Sequence, residues 1–281
     1  MVVISTAAIL IKLCEDAPAA VIAAGRMATA TVVLLPIGFV AKGRRLVDVP
    51  RHCWPYILLG GVFLAAHFVS WMASLKHTSV ASSVVIVTTN PLFIGVASFF
   101  LFKERIRRGL VFGIVLAIIG GASVAVSDTQ AGGGTLRGDL LSLLGAVMAS
   151  CYLLTGRRVR REVDILSYIL PVYGTAAVLL CLLAVGRGEL FALYHPTTYL
   201  WLVLLGLGPQ LIGHSALNWG LKHLSATFIA ICILGEPIGA GILAYFLLGE
   251  RATSLQIAGG ALILAGIFLA ARGQFGEPRS D

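Results

Sequence analysis

Charge is scarce in this sequence: Asp, Glu, Lys and Arg supply 12% of its 281 residues, about half the share of roughly 25% found in soluble domains. Long polar segments are missing as well, and no connector between apolar runs exceeds about a dozen residues. These absences exclude a soluble domain and any enzyme that would house its chemistry in one. No HExxH, GxSxG or paired-acid motif occurs, so a membrane enzyme has no visible catalytic set. Strict apolar-polar alternation is also absent, which excludes a transmembrane β-barrel. The five cysteines, Cys14, Cys53, Cys151, Cys181 and Cys232, are odd in number, lie mostly within apolar runs and show no CxxC or metal-ligand spacing. They read as small packing residues, and neither a metal site nor a cofactor is expected. Residues 1–13 lack a basic leading region and a small-residue cleavage site, so they are expected to stay as a first helix and not to be removed as a signal peptide.

What is abundant is apolar surface: 58% of residues are hydrophobic and mean hydropathy is +0.94. The apolar runs approach the roughly 20 residues that cross a bilayer as a helix. Without a closed barrel, only helices satisfy their backbone polar groups in hydrocarbon. The expected fold is an all-α integral membrane protein with ten transmembrane helices, at about 1–13, 18–41, 54–75, 79–102, 107–127, 138–156, 164–186, 198–220, 225–248 and 253–271. Connectors then alternate faces. One face receives fifteen of the 21 Lys/Arg, including Arg44, Arg45, Arg51, Lys103, Arg105, Arg107, Arg108, Arg157, Arg158, Arg160, Arg161, Lys222 and Arg279. The other receives five, Lys12, Lys76, Arg137, Arg187 and Arg251, while Arg26 falls inside the second helix. By the positive-inside rule both termini are cytoplasmic, in a multi-pass protein of the inner membrane. This sidedness also explains the net charge of +8 without a nucleic-acid partner.

The chain repeats itself. An ungapped offset of 146 residues aligns Leu75-Lys76-His77 with Leu221-Lys222-His223, Ser79 with Ser225, Pro91 with Pro237, and Gly95 with Gly241. Glu104-Arg105 meets Glu250-Arg251, and Gly113, Leu116 and Gly120 meet Gly259, Leu262 and Gly266. Scattered Leu and Gly matches arise by chance between apolar helices, but paired Leu-Lys-His and Glu-Arg matches do not. An odd number of helices per unit sends the second copy into the membrane from the opposite face, giving two inverted five-helix repeats. The expected units are 1–127 and 138–271, joined by a polar, Gly-rich linker at 128–137 and followed by a cytoplasmic tail at 272–281. The repeat makes the first helix short; either the chain starts within it or it is a partial span.

These features, each present twice, resemble the drug/metabolite transporter superfamily, and specifically two tandem EamA-type domains over essentially the whole chain. The carrying residues are the small-polar turn after Leu75-Lys76-His77 and Leu221-Lys222-His223, then Asn90-Pro91 or Glu236-Pro237, then Glu104-Arg105 or Glu250-Arg251 and a Gly-spaced last helix. The resemblance implies a proton-linked or facilitated carrier of small metabolites, with a cavity between the halves and no prosthetic group. More narrowly, the chain looks like the bacterial aromatic amino-acid exporters of YddG type. Sugar-nucleotide and triose-phosphate carriers share the superfamily, but phosphate cargo favours several intramembrane cations, and here only Arg26 is available.

A central intramembrane charge costs about 2.5–3.5 kcal/mol on insertion scales, so each polar side chain within a span needs a partner, a cavity or a task. Arg26 cannot shed its proton. It either anchors a substrate carboxylate or pairs structurally with a buried acid or helix-end carbonyls; the resemblance places an Arg here and fits both readings. His67, Ser70, Trp71 and Ser74 form one helical stripe, and His214, Ser215, Asn218 and Trp219 another. Facing each other across the pseudo-two-fold axis, they would make an aromatic box for a flat, apolar substrate with polar ends. The alternative is that Trp71 and Trp219 belong to interfacial belts and the histidines are packing groups. Pro91 and Pro237 each remove a backbone donor and kink a helix, making them hinge candidates. Glu236, the one clear mid-span carboxylate, either titrates or binds a substrate amine, or is bonded within its kink; Asn90, its repeat mate, cannot titrate. Tyr152 completes the cavity candidates, with Tyr168 and Tyr173 as weaker ones. Glycine pairs such as Gly109/Gly113 and Gly235/Gly239 have spacing for close helix packing. A channel would need a polar-lined pore or a ring of like charge, for which one Arg and one Glu are too few. The expected partners are therefore lipid and a small molecule such as an amino acid, with protons as the coupling ion where the carrier is proton-linked and not facilitated.

Overall fold

The computed structural model of the protein describes every residue except 1, 44, 45, 47, 103–107, 132–134, 225–228, 230–232, 234 and 273–281. The Glu104-Arg105 pair, Arg44, Arg45, Lys103, Arg107, Ser225, Cys232 and the tail beyond Arg272 lie outside the described residues. Within them the apolar runs become helices α1 (Val2–Lys12), α2 (Ala19–Lys42), α3 (Trp54–Ser74), α4 (Val80–Val87), α5 (Asn90–Phe102) and α6 (Arg108–Ala131). The second half supplies α7 (Leu136–Val159), α8 (Ile165–Gly186), α9 (Pro196–Leu205), a π-helical segment (Gly206–His214), α10 (Ser215–Gly220), α11 (Gly235–Leu248) and α12 (Ser254–Arg272). No strand occurs among the described residues.

Polar residues mark where the runs start. Ser79 accepts from the Ser82 amide ahead of α4, Thr135 from Gly138 ahead of α7, and Asp164 from Leu166 and Ser167 ahead of α8. Each satisfies a donor the first helical turn would leave unpaired. Six stretches are long and apolar enough to cross a membrane, Ala19–Lys42, Arg51–Ser74, Val80–Leu101, Leu136–Val159, Ile165–Gly186 and Pro196–Gly220, and four more apolar helices are shorter. The architecture is that of an all-α membrane protein. Many of the large apolar side chains left exposed, such as Val32, Phe39, Phe112, Ile118, Leu182 and Phe246, lie on these helices, as expected where lipid is the solvent.

The connectors gather at two ends, as alternate crossing requires. At one end Lys76 Nζ donates to the carbonyls of Cys14 and Glu15, the Thr135 amide donates to the His77 carbonyl, and Asp16 accepts from the His195 amide and the Thr198 hydroxyl. Those two hydrogen bonds, the hydroxyl's first, hold the Asp16 carboxyl below its usual range. The tie is therefore complete at neutral pH and is lost only as pH falls through that depressed value. At the opposite, arginine-rich end Lys42 pairs with Asp164 at 2.7 Å and His52 with Glu162 at 2.8 Å.

The duplication is visible in the packing of α6 on α12. A Cβ built on Gly120 would sit 2.5 Å from the Gly259 carbonyl oxygen, and one on Gly259 would sit 2.6 Å from that of Gly120. One on Gly266 would sit 2.6 Å from the Gly113 carbonyl oxygen. The repeat offset converts the contact of Gly113 with Gly266 into the contact of Gly259 with Gly120, as a pseudo-two-fold axis demands.

Three expectations needed revision. The 79–102 span is interrupted, not merely kinked: α4 ends at Val87, Thr88 and Thr89 form a turn, and Pro91 lies at the second position of α5, where its missing N–H costs nothing. Helix reaches into both ends of the 128–137 linker, because α6 runs to Ala131 and α7 begins at Leu136. Arg160, counted as a loop charge, is buried: its Nε donates to the Asn218 carbonyl at 3.0 Å and its Nη1 to that of Val163. Helix ends leave carbonyls unpaired, and here a neighbouring arginine satisfies them.

Candidate functional site

Where the two halves face each other, Arg26 of α2, His67 and Trp71 of α3, Thr88 and Asn90 at the α4–α5 break, Tyr152 of α7, His214 and Glu236 line one cavity. Seven of the nine expected site residues therefore meet. The lining follows the repeat in position: Ala7 and Leu153, Trp71 and Leu217, Val87 and Ile233, and Asn90 and Glu236 are all pairs related by the 146-residue offset. Its chemistry does not follow the repeat, because the charged groups Arg26 and Glu236 have neutral mates in Val172 and Asn90.

The Arg26 side chain is fully buried. Its Nε donates to Gln210 Oε1 at 2.9 Å, and its guanidinium lies over the Phe68 ring, 4.1 Å from the centroid. Among the described residues it forms no ion pair, and both terminal nitrogens are buried without a hydrogen-bond partner. Each such unsatisfied group costs about 1–3 kcal/mol. Trp71 Nε1, His214 Nδ1 and Asn90 Oδ1 are likewise unpartnered.

The aromatic box is present with altered membership. His67 Nδ1 lies 2.9 Å from the Gly145 carbonyl; a carbonyl only accepts, so Nδ1 carries the proton and Nε2 of the neutral ring is an acceptor. His67 stacks on Trp71 at 5.9 Å, and Phe68 meets His214 edge to face at 5.3 Å. Phe68 and His214 are repeat mates, so they touch across the axis. Phe68 escaped the sequence reading, although its offset from His214 was the signal that could have found it.

Trp219 is not part of the box. It is 57% exposed and packs against the His223 ring. Consecutive helical residues diverge by about 100°, and Asn218 is the one turned inward, donating to the Tyr152 hydroxyl and to the His214 carbonyl. Asn218 thus braces the cavity wall through Tyr152. Behind it, Tyr168 and Tyr173 are fully buried. Pro237 lies within the first turn of α11, next to Glu236.

The cavity measures about 50 Å³. Pockets that enclose a small-molecule ligand measure about 300–1,000 Å³, so a whole metabolite requires the walls to part. A larger cavity of about 740 Å³ opens between α5, α6 and α7, with walls such as Phe93, Phe100, Ile114 and Leu143. Its apolar lining offers little to orient a polar solute.

The sequence profile of the EamA-like transporter family matches residues 1–126 and 136–272. The chain belongs to that family. This EamA-like transporter, of the drug/metabolite transporter superfamily, is 28% identical to an uncharacterized transporter of Archaeoglobus fulgidus over 76% of each chain. It is 24% identical to the uncharacterized transporter YyaM of Bacillus subtilis, over 88% of this chain and 83% of that one. A WAT1-related chloroplastic protein of Arabidopsis thaliana is 27% identical over 88% of this chain and 61% of its own. A solved crystal structure at 22% identity superposes with a TM-score of 0.72, covering 98% of this chain and 95% of its own; it has the same fold.

In the EamA-like chain one end of the bundle is tied between the halves by Glu250. Gly249, at φ +68° after α11, turns the chain there. Glu250 Oε1 lies 3.5 Å from Lys12 Nζ, and Oε2 accepts from the Val80 amide at the start of α4 at 2.9 Å. Gln256 adds bonds to the Ser79 and Ser82 hydroxyls. A half-buried ion pair and a helix cap together contribute about 1–2 kcal/mol. Glu250→Ala is therefore expected to raise the rate at which a thiol reagent applied from that end labels Ala7→Cys, by roughly 5- to 30-fold; unchanged labelling would show that Glu250 does not restrain opening.

Proposed function

We propose that this transporter exports amino acids, aromatic or neutral, or similar small metabolites across a bacterial inner membrane by alternating access, with both termini in the cytoplasm. The observation that carries the reading is Arg26: a permanent cation, fully buried, whose two terminal nitrogens have no partner and which lines the same cavity as Glu236. An α-amino acid offers a carboxylate to the first and an ammonium to the second, with the rings of His67, Trp71, Phe68 and His214 beside its side chain. Half-helix ends at a midplane site, such as the α4–α5 break, suit a carrier of this architecture. The arginine-rich end faces the cytoplasm on the positive-inside rule. The export direction and the aromatic preference rest on the resemblance to YddG-type exporters.

Glu236 is the proposed proton or amine site. The groups facing it across the cavity are Arg26, His67, Tyr152 and His214. Proteoliposomes loaded with labelled aromatic amino acids test the whole reading: saturable, protein-dependent efflux is expected. No flux with or without a pH gradient would sink it. Glu236→Gln is expected to slow efflux at least tenfold and flatten its pH dependence. An unchanged pH profile would leave Glu236 a structural residue and move the proton elsewhere.

A further inference from the structure

Gln210 is fully buried and reaches Arg26 from the opposite half of the protein. It sits in the π-helical segment Gly206–His214, a rare geometry that concentrates at functional sites. The segment rests directly on α2 beside Arg26: a Cβ on Gly206 would lie 2.5 Å from Thr29 Cβ and 3.0 Å from the Arg26 carbonyl oxygen. The repeat mates of Arg26 and Gln210 are Val172 and Leu64, both fully buried, and Leu64 lies in the uninterrupted helix α3. The duplicated frame is therefore built once with an apolar pair and once with a polar one. The Arg26–Gln210 bond is not something this fold needs at that position.

A guanidinium can grip a carboxylate through Nε and one terminal nitrogen, or through both terminal nitrogens. Gln210 occupies Nε at 2.9 Å, and the Phe68 face fixes the guanidinium plane. Only the end bearing Nη1 and Nη2 is left, and both atoms are unpartnered. Because the acceptor is a neutral amide, the positive charge of Arg26 remains available to a ligand. A carboxylate at position 210 would instead neutralise it. We infer that Gln210 is the positioning residue that makes this site selective for a carboxylate gripped by both terminal nitrogens of Arg26. The inference rests on reading Arg26 as the substrate anchor.

The test compares transport of L-phenylalanine with that of L-phenylalaninamide, which keeps the ring and amine but lacks the carboxylate. Wild-type protein is expected to prefer the acid. Gln210→Met, which keeps the length but removes the acceptor, should raise KM for the acid about tenfold with maximal flux within about twofold. Gln210→Glu, nearly isosteric, should reduce the acid-to-amide ratio at least tenfold, with a melting temperature close to wild type. If Arg26→Gln abolishes the preference while both Gln210 variants retain wild-type KM and ratio, the positioning role is wrong and the anchor stands. A wild-type protein indifferent to acid and amide, or an Arg26→Gln variant that keeps the preference, overturns the anchor reading and this inference with it.

Discussion

Arg26→Gln is expected to cut transport of carboxylate-bearing substrates by about two orders of magnitude, leaving the protein folded and inserted. Removing one member of a buried charge-assisted pair costs about 2–5 kcal/mol, which corresponds to roughly 30- to 4,000-fold in affinity. The loss should fall on substrate affinity, measured as KM for flux or as binding to purified protein. Stability should move the other way. The wild-type side chain is buried with two unsatisfied nitrogens, so a neutral residue relieves a cost in the substrate-free protein, and thermal unfolding should shift upward or stay level. Arg26→Lys is expected to rescue little, because an ammonium is a point charge without a planar fork. Full activity in Arg26→Gln would remove Arg26 from substrate recognition altogether.

The second large effect is expected at the crossing of α6 and α12. Gly120→Ala and Gly259→Ala each place a methyl group about 2.5 Å from a facing carbonyl oxygen, and backbone cannot step aside as a side-chain tip can. Overpacking of this kind costs about 1–3 kcal/mol, so each variant should lower the unfolding temperature in detergent by about 5–10 °C. Gly121→Ala is the control: nothing lies within 4 Å of its added Cβ, and it should behave as wild type. Equal melting of all three variants would show that the helices can part at this point without loss.

Much of this was legible in the amino-acid order, for identifiable reasons. A membrane forces helices, so Arg26, His67, Glu236 and the rest each needed a partner, a cavity or a task, and the ungapped repeat made Asn90 the counterpart of Glu236 before any coordinates. Other features were hidden because they depend on local geometry that period and polarity do not encode. Gln210 lies in an apolar run and looks like an isolated polar residue; the π-helical turn that aims it at Arg26 leaves no mark in a 3.6-residue pattern. Trp219 is five residues beyond His214, about 140° away around an α-helix, so Asn218, four residues on, is the one that shares the His214 face. Arg160 looked like one more loop cation because its carbonyl partners, Asn218 and Val163, come together only after folding. The break at Thr88 and Thr89 is sharper than proline alone suggests, since both hydroxyls bond back to Val85 and Ile86 carbonyls and give the backbone an alternative to continuing the helix.

The glycine crossing of α6 and α12 has one more consequence. Its two contacts, Gly113 with Gly266 and Gly120 with Gly259, are copies of each other under the duplication. Exchanging the roles of the two halves exchanges one contact for the other and leaves their sum unchanged. In a carrier that rocks its halves, such a crossing serves as a fulcrum: it favours neither face, so the bias between inward and outward openness falls to features the duplication does not copy, such as the single Arg26–Gln210 arm.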